Sequence, residues 1–284
     1  MVSPSGHIFC LRRKKFIGHR IWDFRVIHHQ IFRMSQTTIV LISHQSPPEV
    51  AAMCQTWQRL NPEARIHVAY GGTPATFEAL DWPYRSLILD PRLRTRDHQR
   101  ERQSYLGIMQ TMVAELDSHE MPRILLVECD LVPLRTGLAD YLAGRAEEEC
   151  ADVLGVKLRR ADGTSHPHFL AHQGHSEFQN WLGQSIREDR EVVLMVLGCL
   201  TWWTWEAFCA TALAPEPLPV YLELAMPTTA HHLGFRVRNL AEFESDIEPS
   251  GELEGSLEQR LAEGRWLVHP CKRIWLRGSW NAGK

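Results

Sequence analysis

From Thr38 the chain alternates two kinds of apolar pattern. Short continuous runs, "TIVLIS" from Thr38, "RIHVAY" from Arg65 and "RSLILD" from Arg85, have the length and β-branched content of buried strands. Between the first two, Val50, Met53, Cys54, Trp57 and Leu60 recur at helical spacing. Pro47 and Pro48 open that helix, where a missing amide hydrogen costs nothing. A longer stripe of Tyr105, Met109, Met112, Val113 and Leu116 marks one face of a helix over 97–119. The strand-like "ILLVECDLVPL" (Ile124 to Leu134), a helix from Thr136 and the strand "ADVLGVKL" from Ala151 follow. This β-α-β alternation predicts an α/β fold, a Rossmann-like three-layer sandwich with a mainly parallel central sheet.

The pattern then loosens. Residues 161–190 are polar and His-rich and offer no good strand. After them the pattern predicts a strand at "EVVLMVLGCL", a Trp-rich helix from Thr201, a loop at "APEPLP" and a helix around "YLELAMPTTAHHLG". The strand "FRVRNL" and a final segment "GRWLVHPCKRIW" complete the order, with no internal repeat.

Charge separates the first 33 residues from the rest. They carry seven basic side chains against the single acid Asp23, so a net −3 for the whole chain leaves about −9 after Arg33. We read 1–33 as a basic N-terminal extension, disordered or translated upstream of a start at Met34; a basic arm for a membrane surface or an organelle is the other reading. Residues 34–284 are read as one domain. A body this acidic is a poor grip for a phosphate backbone, so no nucleic-acid partner is expected. The seven cysteines form no CxxC pair and several sit in apolar surroundings, as in a cytoplasmic protein with reduced thiols. No apolar stretch is long enough for a transmembrane segment.

Within "ILLVECDLVPL" the apolar run ends on Glu128-Cys129-Asp130. An unpaired carboxylate is costly inside a strand, but ligands of open α/β sheets collect beyond the carboxyl ends of the parallel strands. If the chain stays extended, period two puts Glu128 and Asp130 on one side and Cys129 on the other. Two such acids repel unless a positive group stands near. A divalent cation, Mn²⁺ or Mg²⁺, meets that need with hard oxygen donors. A helix cap or an Arg partner would meet it too.

"LLVECDLVPL" after an apolar strand, in a β-α-β chain of this length, resembles the acid-x-acid motif of GT-A fold glycosyltransferases. The resemblance spans Thr38 to Trp275 and implies a GT-A-like fold and metal-dependent transfer from a nucleoside-diphosphate sugar to an acceptor hydroxyl, on a carbohydrate or another molecule. Two later features fall in the order that the family shows. In "PVYLELAMPTTAHHLGFRV", Glu223 matches the acid at a helix start that faces the acceptor, the catalytic base in inverting members. In "WLVHPCK", His269 matches a late metal ligand and Lys272 a contact to the diphosphate. Asp130 is then a metal ligand, and Glu128, one methylene longer than the usual Asp, contacts metal, ribose or neither directly. Ser43, His44 and Gln45 after the first strand, with Gly71-Gly72 where backbone can approach closely, would hold the nucleotide. Arg96 and Arg102, in "DPRLRTRDHQRER", could meet phosphates or form internal ion pairs at a solvated helix start.

Two clusters carry competing readings. His166, His168, His172 and His175 could bind zinc, or belong to an acceptor-specific variable segment. Trp202, Trp203 and Trp205 could stack on sugars or fill the core. A sugar nucleotidyltransferase shares the fold and the metal acids, but needs a Gly- and basic-rich loop where this chain has "SHQSPPEV". A non-catalytic nucleotide-sugar-binding protein of the same fold is the remaining alternative.

Overall fold

The structure, a computed structural model, describes residues 36–89, 104–116, 122–214, 221–247 and 257–271. The N-terminal extension 1–33, Arg96, Arg102 and Lys272 lie outside the described residues, as does the start of the helix expected over 97–119. Seven strands form the main sheet: β1 (Thr37–Ser43), β2 (Arg65–Tyr70), β3 (Arg85–Leu87), β4 (Arg123–Glu128), β6 (Val153–Arg160), β7 (Leu194–Trp203) and β8 (Val237–Asn239). Their order is β3-β2-β1-β4-β7-β6-β8. Every neighbouring pair is parallel except those made by β7, which runs against β4 and β6. The mainly parallel α/β sheet of the GT-A-like expectation is present.

Period two sorts the strand residues into two buried faces. Ile39, Leu41, Leu125 and Val127 cluster with Trp57 and Leu142 from the helices Pro47–Leu60 and Leu138–Glu148. Val40, Ile124 and Leu126 cluster with Met109, Phe208 and Met226 from Ser104–Glu115, Trp205–Ala212 and Leu222–His232. A fully buried side chain of this size contributes about 1.5–3 kcal/mol, so both faces hold the sheet in register. Parallel pairing of Ile42 with Glu128 brings the ends of β1 and β4 to one edge.

Two expectations change, and the polar stretch 161–190, strandless as expected, gains detail. The helix expected from Thr201 begins at Trp205, because Thr201-Trp202-Trp203 continue β7 and Thr204 caps the helix, accepting from the Ala207 amide. Trp202 and Trp203 alternate to the two sheet faces and are both buried, so they serve the core. The polar stretch 161–190 contains two short helices, Pro167–His172 and Ser176–Gly183, which bury Phe169, Phe178 and Trp181 in a third cluster. Those apolar positions are too few to mark a period in the sequence. Finally, β4 stops at Glu128 and the chain turns, with the Leu131 amide donating to the Glu128 carbonyl at 3.1 Å. Glu128 and Asp130 therefore do not share a face of one extended strand; a turn brings them together.

Candidate metal and active site

The turn after β4 is fixed by a second, two-stranded sheet. β5 (Val132–Pro133) pairs antiparallel with β9 (Leu267–Val268), matching Val132 to Val268 and Pro133 to Leu267. Past the end of that ladder, one residue out of its register, the Cys271 amide donates to the Asp130 carbonyl at 2.8 Å. A short ladder thus lays the late segment across the acidic turn.

The consequence is a three-residue group. His269 Nε2 lies 3.2 Å from Asp130 Oδ1 and 3.8 Å from Glu128 Oε2. One ligand atom from each of Glu128, Asp130 and His269 falls within 4.8 Å of the others, as a shared cation requires. Two carboxylates and an imidazole offer oxygen and nitrogen donors to a divalent cation in a site that is only partly enclosed. The two acids are brought together around one positive group, the His269 imidazole, which stands where a shared cation would. Burial alone would push that imidazole down. Hydrogen bonds to Asp130, Cys199 and Glu128 more than offset it and hold His269 up, at about 12. A divalent ion would displace the imidazolium proton and bring two positive charges in place of one.

Glu223, in the first turn of Leu222–His232, lies near enough to this group to feel the charges of Glu128 and His269. The Gly198 amide donates to its Oε1 at 3.1 Å. The reason is a register jump in β7: Gly155 pairs with Thr201, but Val156 pairs with Leu197. The extra residues on β7 form a bulge that turns the Gly198 amide toward Glu223; bulges beside functional groups do this commonly. Burial pushes the Glu223 carboxyl up to about 7; the Gly198 hydrogen bond opposes the rise, the Glu128 charge adds to it and His269 opposes it. A carboxyl group poised near neutrality can take or give a proton there.

The expected nucleotide loop is built as follows. Ser43 is buried; its hydroxyl accepts from the Gln45 amide and approaches Met53 Sδ, so it shapes the loop from within. His44 is exposed and Gln45 half-buried. Gln45 Nε2 reaches Cys129 Sγ at 3.8 Å and its carbonyl accepts from Tyr70 Oη at 3.0 Å, tying the loop to the acidic turn. The Gly71 amide donates to the Ser43 carbonyl at 2.8 Å. At Gly72 the close approach comes from the protein: a Cβ there would stand 2.2 Å from Tyr70 Oη. Gly72 makes room for Tyr70.

The thiols nearby are held in their neutral form. Burial and the Asp130 charge push Cys129 up to about 12, and burial pushes Cys199 up to about 11. The 166–175 histidines form no ligand group among the described residues. His168 stacks on Tyr221 with ring centroids 3.7 Å apart, and His172 Nε2 accepts from the Tyr221 amide at 3.4 Å. The sequence pattern did not single out Gly198, Lys157 or Asp246. Only Gly198 carried a signal, being a glycine inside a strand pattern.

No protein-family model matches the sequence, and no curated protein matches it. Among solved structures the chain is similar to the apo form of mouse xyloside xylosyltransferase 1, at 11% identity over 72% of this chain and 84% of that one, TM-score 0.37. It is similar to the galactosyltransferase LgtC in complex with donor and acceptor sugar analogues, at 11% identity over 60% of this chain and 58% of that one, TM-score 0.35. A third likeness is to CMP:2-keto-3-deoxy-manno-octonic acid synthetase complexed with CTP, at 12% identity over 72% of this chain and 89% of that one, TM-score 0.37. At such identities and overlaps these likenesses say nothing of the reaction, which rests on the site. No helix among the described residues is long and apolar enough to cross a membrane.

Proposed function

We propose that the chain is a metal-dependent glycosyltransferase, moving a sugar from a nucleoside-diphosphate sugar to an acceptor hydroxyl. The observation that carries this reading is the meeting of Glu128, Asp130 and His269 at the carboxyl edge of the sheet, with Glu223 beside them. Asp130 and His269 hold Mn²⁺ or Mg²⁺, and Glu128 completes the group. When bound, the ion stabilises negative charge on the leaving diphosphate, an effect worth several kcal/mol at such sites. Glu223 accepts the proton of the attacking hydroxyl, and the Gly198 amide keeps its carboxylate oriented. The loop of Ser43, His44, Gln45 and Gly71 carries the nucleotide against the end of β1, with Lys272 and Arg102 as its phosphate contacts.

The test is a melting-temperature screen of nucleotide sugars with and without Mn²⁺, followed by hydrolysis and transfer assays on the stabilising donor. Mn²⁺-dependent stabilisation with turnover supports the proposal. Stabilisation without turnover across acceptors points to a binding protein, and stabilisation by nucleoside triphosphates with pyrophosphate release points to a nucleotidyltransferase.

A further inference from the structure

Besides its side-chain contacts, His269 is held through its backbone. Its amide donates to the Asp246 carbonyl at 3.1 Å, and it bridges to Ile247 in parallel. Asp246 grips the same segment again through its buried carboxylate, which accepts from the Trp266 amide at 3.3 Å and pairs with Arg265 at 3.0 Å. The next carbonyl, that of Ile247, is taken by the Lys157 ammonium at 2.8 Å.

Lys157 is unusual in three respects. It is the only lysine among the described residues, half-buried on β6. It pairs with no carboxylate among the described residues, so its charge is spent on a carbonyl. Its backbone stands at φ +56°, a left-handed conformation that a non-glycine residue keeps only where its surroundings enforce it. The cause is a second irregularity in the pairing of β6 with β7, between Val156 and Arg159. There the Leu158 amide leaves the ladder for Asn239 Oδ1 at 2.9 Å. The bulge turns Lys157 toward Ile247.

We propose that Lys157 is a positioning residue for His269. Its ammonium anchors the Asp246–Ile247 bracket, and the bracket sets the distance of the imidazole from Asp130 and Glu128. The inference rests on reading those three residues as a cation site, but the bracket exists without the cation and can be tested without it.

The experiment measures amide hydrogen exchange on the full chain in chelator, and Mn²⁺ affinity by electron paramagnetic resonance. Lys157→Met should speed exchange at the His269 and Trp266 amides about tenfold or more, with Leu41 and Leu126 in the sheet unchanged. It should weaken Mn²⁺ about tenfold, the usual cost of losing support behind a metal ligand. Lys157→Arg, which keeps a donor, should retain wild-type protection and affinity. Should the Met variant not fold, Lys157→Gly replaces it, since glycine accepts the positive φ while still removing the ammonium. Unchanged exchange at His269, or faster exchange spread evenly over the sheet, would overturn the proposal. Wild-type protein that binds no Mn²⁺ would instead sink the cation reading, with the exchange data still deciding the role of Lys157.

Discussion

His269 Nε2 and Asp130 Oδ1 stand 3.2 Å apart although 139 positions separate the two residues in the chain. The β5–β9 ladder and the hydrogen bond from the Cys271 amide to the Asp130 carbonyl make that contact, so it depends on backbone pairing more than on the attraction between the side chains. Replacing either side chain should leave the fold intact while removing one ligand. Asp130→Ala and His269→Ala should each abolish Mn²⁺ dependence of nucleotide binding, and the double variant should be little worse than either, because both act through one ion. Calorimetric titration with and without Mn²⁺ measures this; additive losses would mean that the residues do not share a cation.

Glu223→Gln should keep nucleotide-sugar affinity while transfer falls about 10²-fold or more, the loss expected when a general base is removed. Glutamine retains an oxygen for the Gly198 amide, so the loop geometry is preserved. Steady-state kinetics separate the cases. A raised KM with unchanged kcat would take Glu223 off the acceptor side.

The same substitution has a stability signature. Burial raises the folded-state pKa of Glu223 to about 7, above the carboxylate's unfolded value, so the folded protein binds the proton more tightly than the unfolded chain. Stability from this group is therefore full at low pH. It is lost as pH rises from about 4.5 through 7, where the charge must be carried in a buried place. In chelator, Glu223→Gln should be more stable than wild type by about 1–3 kcal/mol at pH 8 and no more stable at pH 4. Denaturant unfolding at several pH values reads the difference, and a constant offset would contradict the assignment.

His67 gives the opposite slope. It is buried on β2 with Nε2 2.8 Å from Ser86 Oγ, and burial, aided by the Arg65 charge, lowers it to about 4. The fold therefore favours neutral His67, and its contribution is full above about 6.5 and falls as pH drops toward 4. His67→Gln should flatten acid destabilisation in that window, as measured by urea midpoints; an unchanged profile would show that other groups carry it.

Gly72→Ala should destabilise by about 1–3 kcal/mol, the usual range for overpacking. Its Cβ would enter the space of the Tyr70 ring, which is 1% exposed and has nowhere to go. Because Tyr70 Oη holds the Gln45 carbonyl, nucleotide affinity should fall along with the melting temperature.

The sequence by itself determined the layers. Strand-length apolar runs at Thr38, Arg65 and Ile124, and helical stripes such as Val50 to Leu60, are set by local periodicity and needed no long-range information. It also marked Glu128, Asp130, Glu223 and His269 as chemically out of place or matching a known order. Local pattern failed where it was short or ambiguous. The aromatic run after Thr201 fits a strand or a helix equally until the pairing of Trp202 and Trp203 with β4 decides it. Only the tertiary structure decided that a turn, and not an extended strand, joins the two acids, that the β7 bulge aims Gly198 at Glu223, and that Lys157 and Asp246 stand behind His269. Each of these depends on hydrogen bonds between segments distant in the chain, at turns and bulges where no apolar pattern in the sequence marks the partner.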